Sequence, residues 1–184
     1  MVAIDELEAV IQLKLDMTTY ALENWPGIAR KLNEMFRFNP KLPEDEQAAF
    51  LFFLAVLFVQ SRAPYNIYSD EQGERLWQFL KNTFAAEPQF GAQSNGSLDI
   101  YHDVWNQQIE AKQNPFGGVA SVLLYCLGYK EQSADEFITS VLSNYMAMTP
   151  PWWKNFSGQS ELTRSHMPIN RDDFLRFAAE AERG

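Results

Sequence analysis

The chain has 184 residues, of which 46% are hydrophobic and 14% aromatic, enough apolar material for one sizeable core within the usual size of one domain. Twenty-four Asp and Glu against fifteen Lys and Arg leave a formal charge of −9, which opposes the phosphate attraction that drives nucleic-acid binding and adsorption to anionic lipid. One domain over residues 1–184 is expected, with neither nucleic acid nor a membrane as partner; the macromolecule that suits this charge is a basic protein.

Ile4, Leu7, Ile11 and Leu15 recur at helical spacing, with Asp5, Glu6 and Glu8 at the positive end of the dipole, which predicts a first helix from about Ile4 to Leu22. Ile11, Leu13, Leu15 and Met17 also alternate as a strand would, but the run continues through Ala21 and Leu22 without β-branched enrichment. Trp25-Pro26-Gly27 predicts a break, and Ile28, Leu32, Met35 and Phe36 mark a short second helix ending before Asn39-Pro40. Pro43 opens a third over 44–62, with Glu44, Asp45 and Glu46 in its first turn. Every residue from Ala48 to Val59 is apolar, so this helix needs a packing partner on every side and belongs at the centre of the core. At about 1.5 Å per residue the run spans about 18 Å, short of the ~30 Å that a membrane-crossing helix must cover.

Ser69-Asp70-Glu71-Gln72 has the form of a capping box for a fourth helix carrying Leu76, Trp77, Leu80 and Phe84. Residues 87–97, with Pro88, Gly91, Ser94, Asn95 and Gly96, read as a loop. Leu98, Tyr101, Val104, Trp105 and Ile109 define a fifth helix, and Asn114-Pro115 caps a sixth that ends near Gly128. Gly117, Gly118, Ala120 and Ser121 give that helix a small-residue opening suited to close approach. A second capping box at Ser133-Ala134-Asp135-Glu136 starts a helix that reaches Pro150, and Asn170 caps a last one carrying Phe174, Phe177, Ala178 and Ala181. The expected fold is an all-α single-domain bundle of seven or eight helices around the 44–62 helix, with the 115–128 helix as its nearest buried neighbour.

A lone cysteine, Cys126, excludes an internal disulfide and a cysteine-based zinc site, and its neighbours Leu123, Leu124, Tyr125 and Leu127 predict a buried, unreactive thiol. Acids at Asp5 and Glu6, where a secretory signal would be basic, make a cytoplasmic protein the expectation. No cofactor is expected, since Gly117-Gly118 lacks the Gly-Lys-Ser/Thr of a phosphate loop.

Asp99, His102, Asp103, Asn106 and Glu110 share one face of the fifth helix, and His102-Asp103 resembles the metal-binding dipeptide of helical phosphohydrolases. That chemistry needs further ligands from other helices, and the second histidine, His166, lies far downstream. A solvated face opposite Leu98, Tyr101, Val104 and Trp105 explains the same five positions, so no metal is expected at His102. Glu71-x-x-Glu74 resembles one acidic turn of helical nucleotide pyrophosphohydrolases, but a matching second pair is absent and capping accounts for it. Asp172-Asp173 starts like the aspartate-rich motif of isoprenoid synthases and fails at Arg176.

The most distinctive segment is Met146-Ala147-Met148-Thr149-Pro150-Pro151-Trp152-Trp153-Lys154-Asn155-Phe156. Aromatic residues on a proline-stiffened turn are what recognition surfaces favour, so Trp152, Trp153, Lys154 and Phe156 are the candidate partner-binding residues. At least one of the two indoles is expected to remain substantially exposed; the competing reading is that Trp152 and Trp153 fold back to cover the end of the bundle. The function these features fit is non-catalytic binding or regulation through protein contact; the alternative is a helical metal-dependent hydrolase using Asp99, His102 and Asp103.

Overall fold

The computed structural model describes residues 2–36, 38, 40–62, 64, 69–129, 141–144, 146, 152–153 and 160–163, with backbone alone for residues 2–4 and 160–163. Five helices are bounded among them: α1 (Glu6–Phe36), α2 (Glu46–Arg62), α3 (Asp70–Ala85), α4 (Gly91–Glu110) and α5 (Pro115–Cys126). Residues 141–144, 146 and 152–153 are helical as well. The helical character expected from the sequence is therefore present, while the count of seven or eight is not reached among the described residues; the Ser133 capping box and the Asn170 helix lie outside them. Two short strands qualify the all-α expectation. β1 (Val2–Asp5) pairs in parallel with β2 (Ser160–Thr163), Val2 opposite Ser160 and Asp5 opposite Thr163. Ile4, expected in the first helix, stands in β1. No helix among the described residues is long and apolar enough to cross a membrane.

The chain divides into two units, one of residues 1–15, 60–96 and 151–184, the other of residues 16–59 and 97–150, so that α1, α2 and α4 each supply residues to both.

In the first unit α1 starts where Asp5 Oδ1 accepts the Leu7 N–H at 2.8 Å, answering one of the donors that a helix start leaves unpaired. The capping box at Ser69 forms as expected, its hydroxyl accepting the Gln72 N–H at 3.3 Å, and Leu76, Trp77, Leu80 and Phe84 of α3 are all buried. The expected loop over 87–97 is instead largely helix, since α4 begins at Gly91. Gly91 and Ser94 are buried, and Gly91 sits so close to the Phe84 carbonyl that a Cβ there would lie 1.8 Å from its oxygen. Asn95 Nδ2 donates to the Lys81 carbonyl at 3.0 Å while Lys81 Nζ donates to the Asn95 carbonyl at 3.2 Å. Tertiary bonds and close approach thus override the weak helix propensity of Gly, Ser and Asn.

In the second unit the expected break at Trp25-Pro26-Gly27 does not occur, and α1 runs on through Pro26 to Phe36. Proline removes the donor that would bond the Leu22 carbonyl, and Leu22 is exposed, so water can take that place. Trp25 is fully buried, donates its indole N–H to the Pro43 carbonyl at 2.9 Å and packs against Phe52 with ring centroids 5.1 Å apart. Asn33 holds the chain after α1: its amide donates to the Leu42 carbonyl at 3.0 Å and accepts the Leu42 N–H at 2.7 Å.

The central helix is buried as its composition requires. Phe52, Leu54, Val56 and Phe58 are each no more than 1% exposed although they cannot share one face. Phe58 stacks on Tyr101 of α4 at 5.8 Å and meets Trp105 edge-on at 5.7 Å, and Trp105 meets Phe116 of α5 at 5.1 Å. The small-residue opening of α5 works as expected, for a Cβ on Gly118 would lie 2.6 Å from Val104 Cγ1. Asn114 caps α5 by accepting the Phe116 N–H at 3.1 Å. Gly128 closes it at φ 103°, with Gly128 N–H on the Tyr125 carbonyl and Tyr129 N–H on the Leu124 carbonyl, both at 3.0 Å. Cys126 corrects one expectation: it is exposed, in the last turn of α5, where the helix ends before Leu127.

Candidate functional site

The tryptophan pair of the candidate site is built from the end of α2. In an α-helix the Gln60 carbonyl would accept from the N–H of residue 64, and residue 64 is a proline, which has none. Gln60 is buried, so water does not readily replace the missing donor. Trp153 supplies it: the indole is 1% exposed and its N–H donates to the Gln60 carbonyl at 2.8 Å. Trp152 packs edge-on against Trp153, centroids 4.8 Å apart and planes at 84°, the arrangement that the aromatic quadrupole prefers. Trp152 itself is half-buried, so neither indole is as exposed as the sequence led one to expect. The two neighbours therefore do different work, Trp153 closing a helix end and Trp152 remaining in part at the surface. Lys154 and Phe156 lie outside the described residues.

The polar face of α4 is assembled as its spacing implies, without convergence. His102 Nδ1 lies 3.7 Å from Asp103 Oδ1 and its Nε2 lies 3.3 Å from Asn106 Nδ2, while Asp99, Asp103 and Glu110 are exposed. Among the described residues no group of three or more His, Cys, Asp and Glu side chains is placed to hold a metal ion, and His166 is not among them. Glu71 and Glu74 sit on the first turns of α3, where Glu74 accepts from Gln78 Nε2 at 2.9 Å. Asp172, Asp173 and Arg176 lie outside the described residues.

One buried carboxylate was not singled out by sequence. Glu6, in the first turn of α1, is fully buried and accepts from Arg75 Nε at 3.0 Å, Arg75 Nη2 at 2.9 Å and Gln72 Nε2 at 3.2 Å. The hydrogen bond to Glu6 raises the Arg75 guanidinium pKa against the opposing cost of its partial burial, with the charges of Glu6 and Glu71 acting in the same direction as the bond. The three donors, all from α3, tie the start of α1 to that helix through one buried carboxylate. The only signal for it in the sequence is an acid at a helix start, which the dipole explains equally well.

At Cys126 desolvation pushes the thiol pKa up, away from the thiolate form on which cysteine reactivity depends. Glu87, Pro88, Gln89 and Phe90 line an open depression at the turn between α3 and α4, with Phe90 exposed. Lys14 pairs with Glu87 and lies over the Phe84 ring, 4.1 Å from its centroid. Comparison of the chain with protein-family models, with curated proteins and with solved structures gives no match in any of the three.

Proposed function

We propose that the chain is a non-catalytic cytoplasmic protein of binding or regulatory role, acting through contact with a basic protein partner and centred on Trp152. The observation that carries this is the division of labour in the tryptophan pair. Trp153 is held by the Gln60 carbonyl, and it in turn holds the half-buried ring of Trp152 edge-on. A large aromatic side chain already fixed before binding loses little conformational freedom on contact, which favours it as an anchor. The charge of −9 supplies the complementarity to a basic surface. Lys154 and Phe156, which follow in the sequence, complete the proposed set of partner-binding residues.

The test is affinity capture from the native host with the wild-type chain and with Trp152→Ala, each captured protein identified by mass spectrometry. The variant is expected to melt within a degree or two of wild type and to lose a basic protein that wild type retains. Equal capture by both would overturn the assignment to Trp152.

The alternative, a helical metal-dependent hydrolase, has in its favour the proximity of His102 to Asp103, 3.7 Å apart, with Asp99 one turn away on α4. Melting with Mg²⁺, Mn²⁺ and Zn²⁺ separates the two, since an ion that binds only the folded state raises the melting temperature. A rise that His102→Ala abolishes would replace the binding reading by the hydrolase.

A further inference from the structure

We draw no further inference here: the strongest candidate, the buried Ser94 hydroxyl and Asn95 Oδ1 without hydrogen-bond partners near the start of α4, carries nothing because neither residue lines the open depression of Glu87, Pro88, Gln89 and Phe90 beside it and no second observation there points to a ligand.

Discussion

Lys112 closes α4 with a φ of 55°, a left-handed conformation that costs an L-residue with a Cβ about 1–2 kcal/mol. The bonds around it are those of a helix stop: Lys112 N–H on the Ile109 carbonyl at 3.0 Å and Gln113 N–H on the Gln108 carbonyl at 2.8 Å. Lys112→Gly is therefore expected to stabilise the fold by up to about 1 kcal/mol, seen as a higher urea midpoint with an unchanged slope. Two glycine substitutions should act in opposite directions. At Gly96 an added Cβ meets nothing within 4 Å, so Gly96→Ala gains about 0.5–1 kcal/mol of helix stability. At Gly118 it meets Val104 and Gln108 under 3.0 Å, so Gly118→Ala costs about 1–3 kcal/mol. Thermal melts of the two variants check both signs. Gly128 was legible in the sequence because glycine is the usual residue just past a helix end, whereas lysine at the equivalent place after α4 carries no such mark.

At the scale of an element, α1 and α2 show two outcomes for a carbonyl that loses its donor to proline. The Leu22 carbonyl belongs to an exposed residue and the helix continues past Pro26; Gln60 is buried and Trp153 answers it. Trp153→Phe keeps most of the ring but strands that carbonyl, and is expected to lower stability by about 1–3 kcal/mol in denaturant titration. Trp152→Ala should cost much less. The apolar composition of α2 announced its burial, and the caps at Ser69 and Asn114 were readable because each uses a side chain adjacent in sequence. The first turns of α4 were not readable. Their helix depends on Gly91 approaching Phe84 and on Lys81 exchanging bonds with Asn95, interactions that no periodicity displays. The partner of Gln60 was equally hidden, since its donor stands 93 residues away. Of the candidate site, the aromatic segment was legible as unusual, but which indole is buried depends on that distant carbonyl.

For the whole molecule, three helices pass without interruption from one unit to the other, and a helix is cooperative along its hydrogen-bond ladder. Unfolding is accordingly expected as one transition, with far-ultraviolet circular dichroism and tryptophan fluorescence giving the same midpoint; two separated midpoints would mark independent units. Alkaline stability turns on Tyr101, whose phenol is pushed well above its ordinary range, first by burial and then by the neighbouring Cys126. The folded pKa is raised, so stability is intact below the unfolded value of about 10 and is lost as pH climbs above it, by about 1.4 kcal/mol per pH unit while only the unfolded chain ionises. Tyr101→Phe should flatten that fall, measured as the urea midpoint from pH 9 upward, roughly the onset of tyrosine titration.

The edge-on contact of Trp152 and Trp153 has an optical consequence. Two identical chromophores 4.8 Å apart in planes 84° to one another share their excitation, and skewed transition dipoles so coupled absorb left- and right-handed light unequally. The protein should carry a paired positive and negative band in the tryptophan region of its dichroism spectrum, superimposed on the helical signal. Replacing either indole by phenylalanine removes both lobes at once, and a partner that reorients Trp152 would rescale them, so that binding could be followed without a label.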